Sequence, residues 1–288
     1  MNSYQEKLLN ILNSEERVIA MLAPSFPIDF SYPQIIGMLK EIGFEKVVEL
    51  TFGAKMVNYF YKEYISSHSE QKTFITSPCP TVLAIIEKQY PELSRFLIPC
   101  ASPMYAMGKI CRKQYPKYKI VFISPCQAKR ILEAPKYPKF IDLVITFKEL
   151  KEIFEIKNIK EENFLNKYSF DSFINERTKI YPISGGLASS ANIKTLFKDE
   201  EICITDGLLN NKKILDELKN GNSKYRFVDI LNCDGGCIGG PDFANKKLSH
   251  EEKDLLIIKY REQAMFGKVS GRESSHNLTQ DIDFSAEL

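Results

Sequence analysis

Residues 120–126 read Ile-Val-Phe-Ile-Ser-Pro-Cys, a short apolar run that ends in a Ser-Pro-Cys corner. Residues 73–79 repeat this design, and residues 227–237 join a third apolar run to a glycine-rich loop with two more cysteines. Short apolar runs bounded by turn residues are typical of buried strands. If the three strands belong to one parallel sheet, their carboxyl ends bring four thiols to one edge, where open α/β folds bind ligands. The four cysteines are Cys79, Cys126, Cys233 and Cys237.

Strand-like and helical patterns alternate along the rest of the chain. Further strands are predicted at residues 17–22, 46–50, 141–146 and 201–205, and helices at 32–42, 52–67, 81–90, 103–115, 147–156, 206–219 and 250–266. This alternation predicts an α/β fold of two lobes, each with a mainly parallel sheet flanked by helices. We expect one domain over residues 1–245 with a lobe boundary near 157–180, followed over residues 246–288 by a C-terminal helix and a loose polar tail.

The composition is that of an ordinary globular protein. Of its 288 residues 44% are hydrophobic, and 39 basic and 37 acidic side chains are mixed along the chain to give a formal net charge of +2. No charged tract would recruit nucleic acid or a membrane surface, so we expect neither as a partner. The sequence has no apolar run long enough to span a membrane and no signal-peptide pattern, and we expect a cytoplasmic protein.

Seven cysteines, an odd number, argue against a disulfide framework and for metal ligands plus buried thiols. The expected buried thiols are Cys100, Cys111 and Cys203. Pro80 suits the first turn of a helix, which places Cys79 at a helix N-terminus, where the metal-binding thiolate is favoured. Any one cysteine alone could be a small core residue, but the repeated Ser-Pro-Cys corners and the glycine-rich loop together favour a metal site.

Four thiolates suit either structural zinc or an iron-sulfur cluster. Zinc sites made of paired CxxC knuckles are local, whereas these ligands are spread over about 160 residues and follow different strands. That spread favours a large cofactor, an iron-sulfur site set between the two lobes. The three histidines, His68, His250 and His276, lie in polar segments without a partner at ligand spacing, and we assign them no role.

Three segments resemble the signature loops of the [FeFe]-hydrogenase catalytic domain. They are Thr-Ser-Pro-Cys-Pro at residues 76–80, Ser-Pro-Cys-Gln-Ala-Lys at 124–129 and Cys-Asp-Gly-Gly-Cys-Ile-Gly-Gly at 233–240, in the family's order and spacing. Flanking pieces such as Ala-Pro-Ser at 23–25 and Phe-Gly-Ala at 52–54 are also similar. The resemblance covers residues 17–245, and it implies the family's H-cluster, in which a [4Fe-4S] cluster is joined to an organometallic di-iron unit.

The resemblance implies a role for each matching position. The four cysteines match the ligands of the [4Fe-4S] cluster, and the sulfur of Cys237 also matches the bridge to the di-iron unit. Lys129 matches a lysine that donates a hydrogen bond to a cyanide ligand of that unit, which suits an ammonium beside an anion. Ala23 and Pro24 match contacts to the other cyanide. The glycines expected to let the chain pass close to a bulky cluster are Gly235, Gly236, Gly239 and Gly240.

Other positions depart from the family's most active members. Pro78, which is expected to line the cofactor site, stands where those members have a cysteine that passes protons, and proline has no exchangeable proton. Ile98, Tyr61 and Tyr64 match a serine and two glutamates of the same proton path, and a buried tyrosine with an ordinary pKa of about 10 is a poor relay at neutral pH. Two methionines that flank the di-iron unit in those members match Ser124, also expected at the cofactor, and Leu231.

Three functions remain open from the sequence. The first is a [FeFe]-hydrogenase-like oxidoreductase of the ferredoxin hydrogenase type, with slow and reversible H2 and proton redox chemistry. The second is a regulatory protein that senses H2 or redox state, and the third is a cubane-only protein of iron-sulfur assembly or interaction. Lys129 and Cys237 favour the first two, and Pro78 favours the sensor over the enzyme. No cysteine precedes Arg17, so we expect a ferredoxin-like electron donor or a signalling protein as partner.

Overall fold

The computed structural model describes residues 1–164, 168–172, 175–266 and 278–288. In this part of the chain the strands are β1 Arg17–Leu22, β2 Lys46–Glu49, β3 Phe74–Ile75, β4 Tyr118–Ser124, β5 Leu143–Thr146, β6 Ile202–Asp206 and β7 Phe227–Leu231. The α-helices are α1 Ser3–Leu12, α2 Gln34–Glu41, α3 Thr51–Ser67, α4 Pro80–Gln89, α5 Pro103–Gln114, α6 Phe147–Ile156, α7 Gly186–Ser190, α8 Leu208–Lys219 and α9 His250–Phe266. None of the described helices is both long enough and apolar enough to cross a bilayer.

Two parallel sheets organise the chain. The first has the strand order β2-β1-β4-β5, with Ala20 of β1 opposite Val47 on one side and Val121 on the other. The second has the order β3-β7-β6, with β7 at its centre. This arrangement confirms the predicted α/β fold with mainly parallel sheets flanked by helices.

The position of β3 corrects two expectations. β3 lies early in the chain but pairs with β7, so Cys79 and Cys233 follow strands of the second sheet, whereas Cys126 follows β4 of the first. The cysteine loops therefore meet between two sheets and not at one sheet edge. The single lobe boundary near residues 157–180 is also wrong, because the chain enters the second sheet at β3 and returns to the first at β4. β3 has only two residues, and long-range contacts decide its partner.

Helices α3 and α5 join the two lobes. Phe52 of α3 belongs to the core around the first sheet, whereas Val57 and Tyr61 belong to the core beside the second. The two helices approach closely at Gly53, where an added Cβ would lie 2.7 Å from the Cβ of Met107. A larger residue at Gly53 would push the helices apart, so this glycine fixes the relative position of the lobes.

Local sequence signals account for the ends of several elements. α6 begins with a capping box, in which Thr146 Oγ1 accepts from the Glu149 N–H and the Glu149 carboxylate accepts from the Thr146 N–H. Pro80 is the first residue of α4 and Cys79 is its N-cap residue, as the sequence predicts. Residues 120–124 of β4 are all buried, which explains their unbroken apolar run.

The C-terminal helix packs on the first lobe. Tyr260 of α9 is buried in the core around the first sheet, and its hydroxyl lies 2.6 Å from the ammonium of Lys179. Lys179 in turn pairs with the carboxylate of Glu49 at 2.6 Å, and both charged side chains are fully buried. Tyr260 thus connects α9 to the buried ion pair at the end of β2, so the C-terminal helix is integrated into the fold.

The last residues of the chain pair with the segment that precedes α5. The Ala101 N–H donates to the Phe284 carbonyl at 2.8 Å, and the Ala286 N–H donates to the Pro99 carbonyl at 3.1 Å. The partly buried ring of Phe284 packs against the core, which anchors this segment. The prediction of a loose polar tail is therefore wrong for residues 278–288, and residues 271–277 lie outside the described residues.

Candidate metal centre

Four cysteines meet between the two lobes. Cys79 caps α4 after β3, Cys126 follows β4, and Cys233 and Cys237 lie in the loop after β7. All four are half-buried free thiols. The other three cysteines are buried, as predicted: Cys100, Cys111 and Cys203. One candidate ligand therefore comes from the first sheet and three come from the second.

The thiols are close enough to affect one another's ionisation. Burial raises the pKa of Cys126, and the nearby Cys79 raises it further. Burial raises the pKa of Cys233 to about 11, with added repulsion from Cys79 and Cys126. Burial also raises the pKa of Cys237, where the other three thiols add to the effect and Lys129 opposes it. Cys126, Cys233 and Cys237 are therefore neutral thiols at pH 7 in the metal-free chain, and a cationic centre would favour their thiolates.

Hydrogen bonds fasten the cysteine loops to each other. The carboxylate of Asp242 accepts from the Gln127 N–H at 2.7 Å, which joins the glycine-rich loop to the Cys126 corner. The carboxylate of Asp206, at the end of β6, accepts from the Gly235 N–H at 2.9 Å. Residues 182–184 pair in antiparallel fashion with residues 235–238. The protein alone thus fixes the loop that carries two of the four thiols.

The glycines of this loop are required by protein neighbours. Gly236 has a φ of +86°, and an added Cβ would lie 2.7 Å from the Pro182 carbonyl oxygen. A Cβ at Gly239 would lie 2.0 Å from the Asp234 carbonyl oxygen. Backbone atoms of the protein itself therefore require glycine at positions 236 and 239, and the role expected for the loop glycines beside a cluster stays a prediction.

The two histidines within the described residues contact neighbouring protein groups. An added Cβ at Gly235 would lie 2.4 Å from Nδ1 of the exposed His250, so that ring covers the glycine-rich loop. His68 is exposed, and its ring stacks on Tyr64 with the ring centroids 4.0 Å apart. His276 lies outside the described residues.

A cavity of about 80 Å³ adjoins two of the thiols, Cys126 and Cys237. Its wall also contains predicted cofactor residues from both lobes: Ala23, Pro24, Pro78, Ser124 and Lys129. Gly235, Gly236 and Gly239 lie in the adjoining loop. Leu231, which the sequence analysis also singled out, lies in the same wall, so the fold brings eight of the residues singled out from the sequence to one cavity.

Lys129 is held in the cavity wall by a partner that sequence reasoning missed. Lys129 begins a π-helical turn, Lys129–Glu133, and its ammonium donates to the Pro78 carbonyl at 2.9 Å and to Glu133 at 2.5 Å. The second carboxylate oxygen of Glu133 accepts from the hydroxyl of Ser102, the N-cap residue of α5. Glu133 is buried. The spacing of four residues between Lys129 and Glu133 could have predicted this pair from the sequence, since residues four apart meet on a helix face.

The positions that match the family's proton path contain no carboxyl group. Pro78 lines the cavity. Tyr61 is fully buried, and its hydroxyl accepts from the Ser77 N–H at 2.9 Å. Burial raises the pKa of Tyr61 far above its ordinary value, so the hydroxyl stays neutral. The side chain of Ile98 has no polar group, and its backbone carbonyl accepts from the Ser77 hydroxyl at 2.8 Å.

Asp229 is a second residue that sequence reasoning missed. It lies in the middle of β7, is 2% exposed and contributes to the cavity wall. Its Oδ2 accepts from the Ala188 N–H at 3.0 Å, but its Oδ1 is buried without a hydrogen-bond partner. Burial raises the pKa of Asp229 to about 6. A lone acid inside the apolar run Phe-Val-Asp-Ile-Leu was the signal in the sequence.

The donor set is suited to a cluster. Four thiols that can become thiolates are the ligand set of a [4Fe-4S] cluster. Within the described residues, no group of three or more His, Cys, Asp or Glu side chains is placed to hold a single metal ion. The adjoining cavity has an ammonium in its wall and a buried carboxyl oxygen without a partner. A two-lobed α/β fold in which four loop cysteines meet, two of them at such a cavity, is the arrangement of a cysteine-ligated metal-cluster protein.

The chain belongs to the family described as the iron only hydrogenase large subunit, C-terminal domain, which matches residues 16–241. This match confirms the resemblance found in the three cysteine loops and places the chain in an iron-sulfur protein family. The matched residues contain all three cysteine loops.

Three known proteins illustrate the relationship. Iron hydrogenase 1 of Clostridium pasteurianum is 25% identical over 96% of this chain and 59% of its own length. The cytosolic Fe-S cluster assembly factor NAR1 of Encephalitozoon cuniculi is 23% identical over 70% of this chain and 59% of its own length. A variant of [FeFe]-hydrogenase HydA1 from Chlamydomonas reinhardtii superimposes with a TM-score of 0.67 and 18% identity, covering 96% of this chain and 92% of that chain. The chain thus shares the fold of HydA1 and spans about three fifths of the two curated relatives.

Proposed function

We propose that this chain binds a [4Fe-4S] cluster at its four loop cysteines and the di-iron unit of an H-cluster in the adjoining cavity. In this proposal the protein carries out slow, reversible redox chemistry between H2 and protons. The observation that carries the proposal is the cavity beside Cys237, with the ammonium of Lys129 fixed in its wall. The di-iron unit, when bound, supplies the metal chemistry that exchanges electrons with H2 and protons.

Lys129 is suited to holding an anionic ligand in the cavity. An ammonium has three N–H donors. In the described structure one donates to the Pro78 carbonyl and one to Glu133, which leaves a third for a group in the cavity. Glu133 and its partner Ser102 orient this donor before any ligand arrives. Such a charge-assisted hydrogen bond would bind and orient a cyanide or a similar anion.

The surroundings of Pro78 support low turnover. A proline next to the cavity cannot pass a proton, and the neighbouring Tyr61 is a neutral, fully buried hydroxyl. General acid-base groups typically contribute a factor of about 100 or more to a rate. A site that keeps its ligands but has no acid-base group at these two positions would react slowly.

Electrons would come from a separate protein in this proposal. The four ligand cysteines are half-buried, so the cluster would lie near the molecular surface. A ferredoxin-like donor could transfer electrons there. A signalling protein that reads the state of the cluster would use the same surface.

Two other functions have a specific observation in their favour. Sensing of H2 or redox state is favoured by the same residues that lower turnover, Pro78 and Tyr61. A cubane-only role in iron-sulfur assembly or interaction is favoured by the similarity to NAR1. Lys129 and the cavity favour an H-cluster over a cubane alone.

Infrared spectroscopy separates these functions. The chain would be produced with the hydrogenase maturation machinery, and we expect sharp CO and CN bands together with a [4Fe-4S] signal in electron paramagnetic resonance. A cubane signal without CO and CN bands would contradict the proposal and favour the assembly role. H2 evolution with an artificial reductant then separates the enzyme from the sensor, because a sensor retains the bands with almost no turnover.

A substitution at Pro78 tests why turnover is low. We expect Pro78→Cys to raise H2 evolution at least about tenfold, because the thiol restores a proton donor beside the cavity. Pro78→Ala is the matched control, since it removes the ring without adding a thiol. Equal rates for the two variants would mean that the missing proton donor does not limit turnover.

A further inference from the structure

The carboxyl group of Asp229 lines the cavity and has one oxygen that forms no hydrogen bond. Oδ2 is fixed by the Ala188 N–H at 3.0 Å, at the start of α7. Oδ1 is buried without a hydrogen-bond partner. Buried polar atoms are satisfied in the great majority of cases, so an unsatisfied oxygen on a residue that lines the cavity points to a bound group that completes it.

The groups around Asp229 do not neutralise a carboxylate. From α3 it faces Tyr61, from the segment before α7 it faces Tyr181, and from β6 it faces Cys203. All three are neutral, buried side chains whose own pKa values are raised by burial. Lys129 is a member of the same cavity wall, but its ammonium is paired with Glu133. Burial therefore dominates, and the pKa of Asp229 is raised to about 6.

We propose that Asp229 is the side chain that exchanges protons with a group bound in the cavity. The inference rests on the function proposed above. The Oδ1–H bond of the protonated carboxyl breaks, and the proton passes to a lone pair of the bound group, such as an amine or a water molecule. The resulting carboxylate regains its proton from a hydronium ion of the solvent, so each cycle transfers one proton and no electrons.

The location of Asp229 suits this role. It lies on β7 of the second sheet, four residues before Cys233 and in the same cavity wall as Pro78. In this proposal the slow proton exchange of the site passes through Asp229 on another strand, since Pro78 has no proton to give. A polar chain begins at Tyr181 in this wall, where the Tyr181 hydroxyl donates to Asn58 at 3.1 Å and Asn58 donates to the half-buried Ser190 at 3.0 Å. Polar groups therefore connect this side of the cavity with the surface.

Asp229→Asn is the decisive variant. Asn keeps a carbonyl oxygen for the Ala188 N–H but has no titrating proton, so it separates proton exchange from a structural role. The first measurement is infrared titration of the full chain, labelled with ¹³C-aspartate and purified without the maturation machinery. In the parent chain we expect a protonated carboxyl band that titrates about two pH units above ordinary aspartate. The band should persist in the control Asp216→Asn, which changes a half-buried carboxylate of α8 outside the cavity wall, and should be absent in Asp229→Asn.

The second measurement is isotope exchange between H2 and D2O in the matured protein. We expect Asp229→Asn to lose about 100-fold in exchange rate while its CO and CN bands persist. A parent chain without the titrating band, or a variant with an unchanged exchange rate, would overturn the assignment. Missing CO and CN bands in the parent chain would count against the proposed function alone, and the titration would still support or overturn Asp229 as the proton-exchanging group.

Discussion

Replacing Asp229 by Asn removes a carboxyl group whose ionisation opposes folding. Its pKa is raised by burial from the ordinary value of 3.8 to about 6. The folded state therefore binds this proton more tightly than the unfolded state, and the stability of the chain falls as the pH rises from 3.8 towards 6. The difference between the two pKa values lowers the free energy of unfolding by about 3 kcal/mol in total. About 2 kcal/mol of this loss occurs between about pH 4.5 and about pH 7.5.

Urea unfolding at these two pH values measures the effect in the metal-free chain. Asn cannot ionise, so the stability of Asp229→Asn relative to the parent should increase by about 2 kcal/mol between about pH 4.5 and about pH 7.5. The corresponding change in the difference of urea midpoints is about 0.7 M. Any fixed cost of burying the Asn amide cancels in this comparison. A pH-independent difference would refute the reasoning, because it would mean that the carboxyl ionises equally well in the folded and unfolded chain.

Three further predictions concern the ligands, the glycine-rich loop and the buried ion pair. Cys126→Ala should lose the iron-sulfur cluster, measured as iron content and visible absorption. Cys111→Ala, which changes a buried thiol of α5 that is not one of the four loop cysteines, should keep the cluster. Gly236→Ala should destabilise the loop and lower cluster content, because the added Cβ meets the Pro182 carbonyl. Gly221→Ala is the control, since Gly221 has a similar positive φ but open space around it, and it should not lower cluster content. Lys179→Met should cost about 3–5 kcal/mol in urea unfolding, because it leaves a fully buried carboxylate without its cation; a cost below about 1 kcal/mol would contradict this.

The parts of the fold that were predictable are those governed by local sequence. The apolar run of β4 and the capping box of α6 specify those elements by burial and by hydrogen bonds within a few residues. Pro80 likewise predicted the start of α4 and the position of Cys79. The cysteines and Lys129 could be found because each lies at a fixed offset from such a local signal.

The parts that were missed depend on contacts between distant residues. The partner of β3 cannot be read from two residues, and so the thiols were expected at one sheet edge instead of between two sheets. Phe284 stands in a polar segment, yet its contacts with the core order residues 278–288. The partners of Glu133 and the unpartnered oxygen of Asp229 likewise exist only once the lobes have come together.

The energetic cost of the cavity wall bears on what the cavity binds. The largely buried ammonium of Lys129 and the carboxylate of Glu133 lose their hydration, and apolar residues in place of such a pair are often neutral or stabilising. The unpartnered oxygen of Asp229 adds about 1–3 kcal/mol of uncompensated burial. A chain that bound only a cubane at its four thiols would gain stability by filling the cavity with apolar side chains. Polar groups from both lobes that converge on one space instead favour a second, polar ligand, which the infrared bands of the matured protein would detect directly.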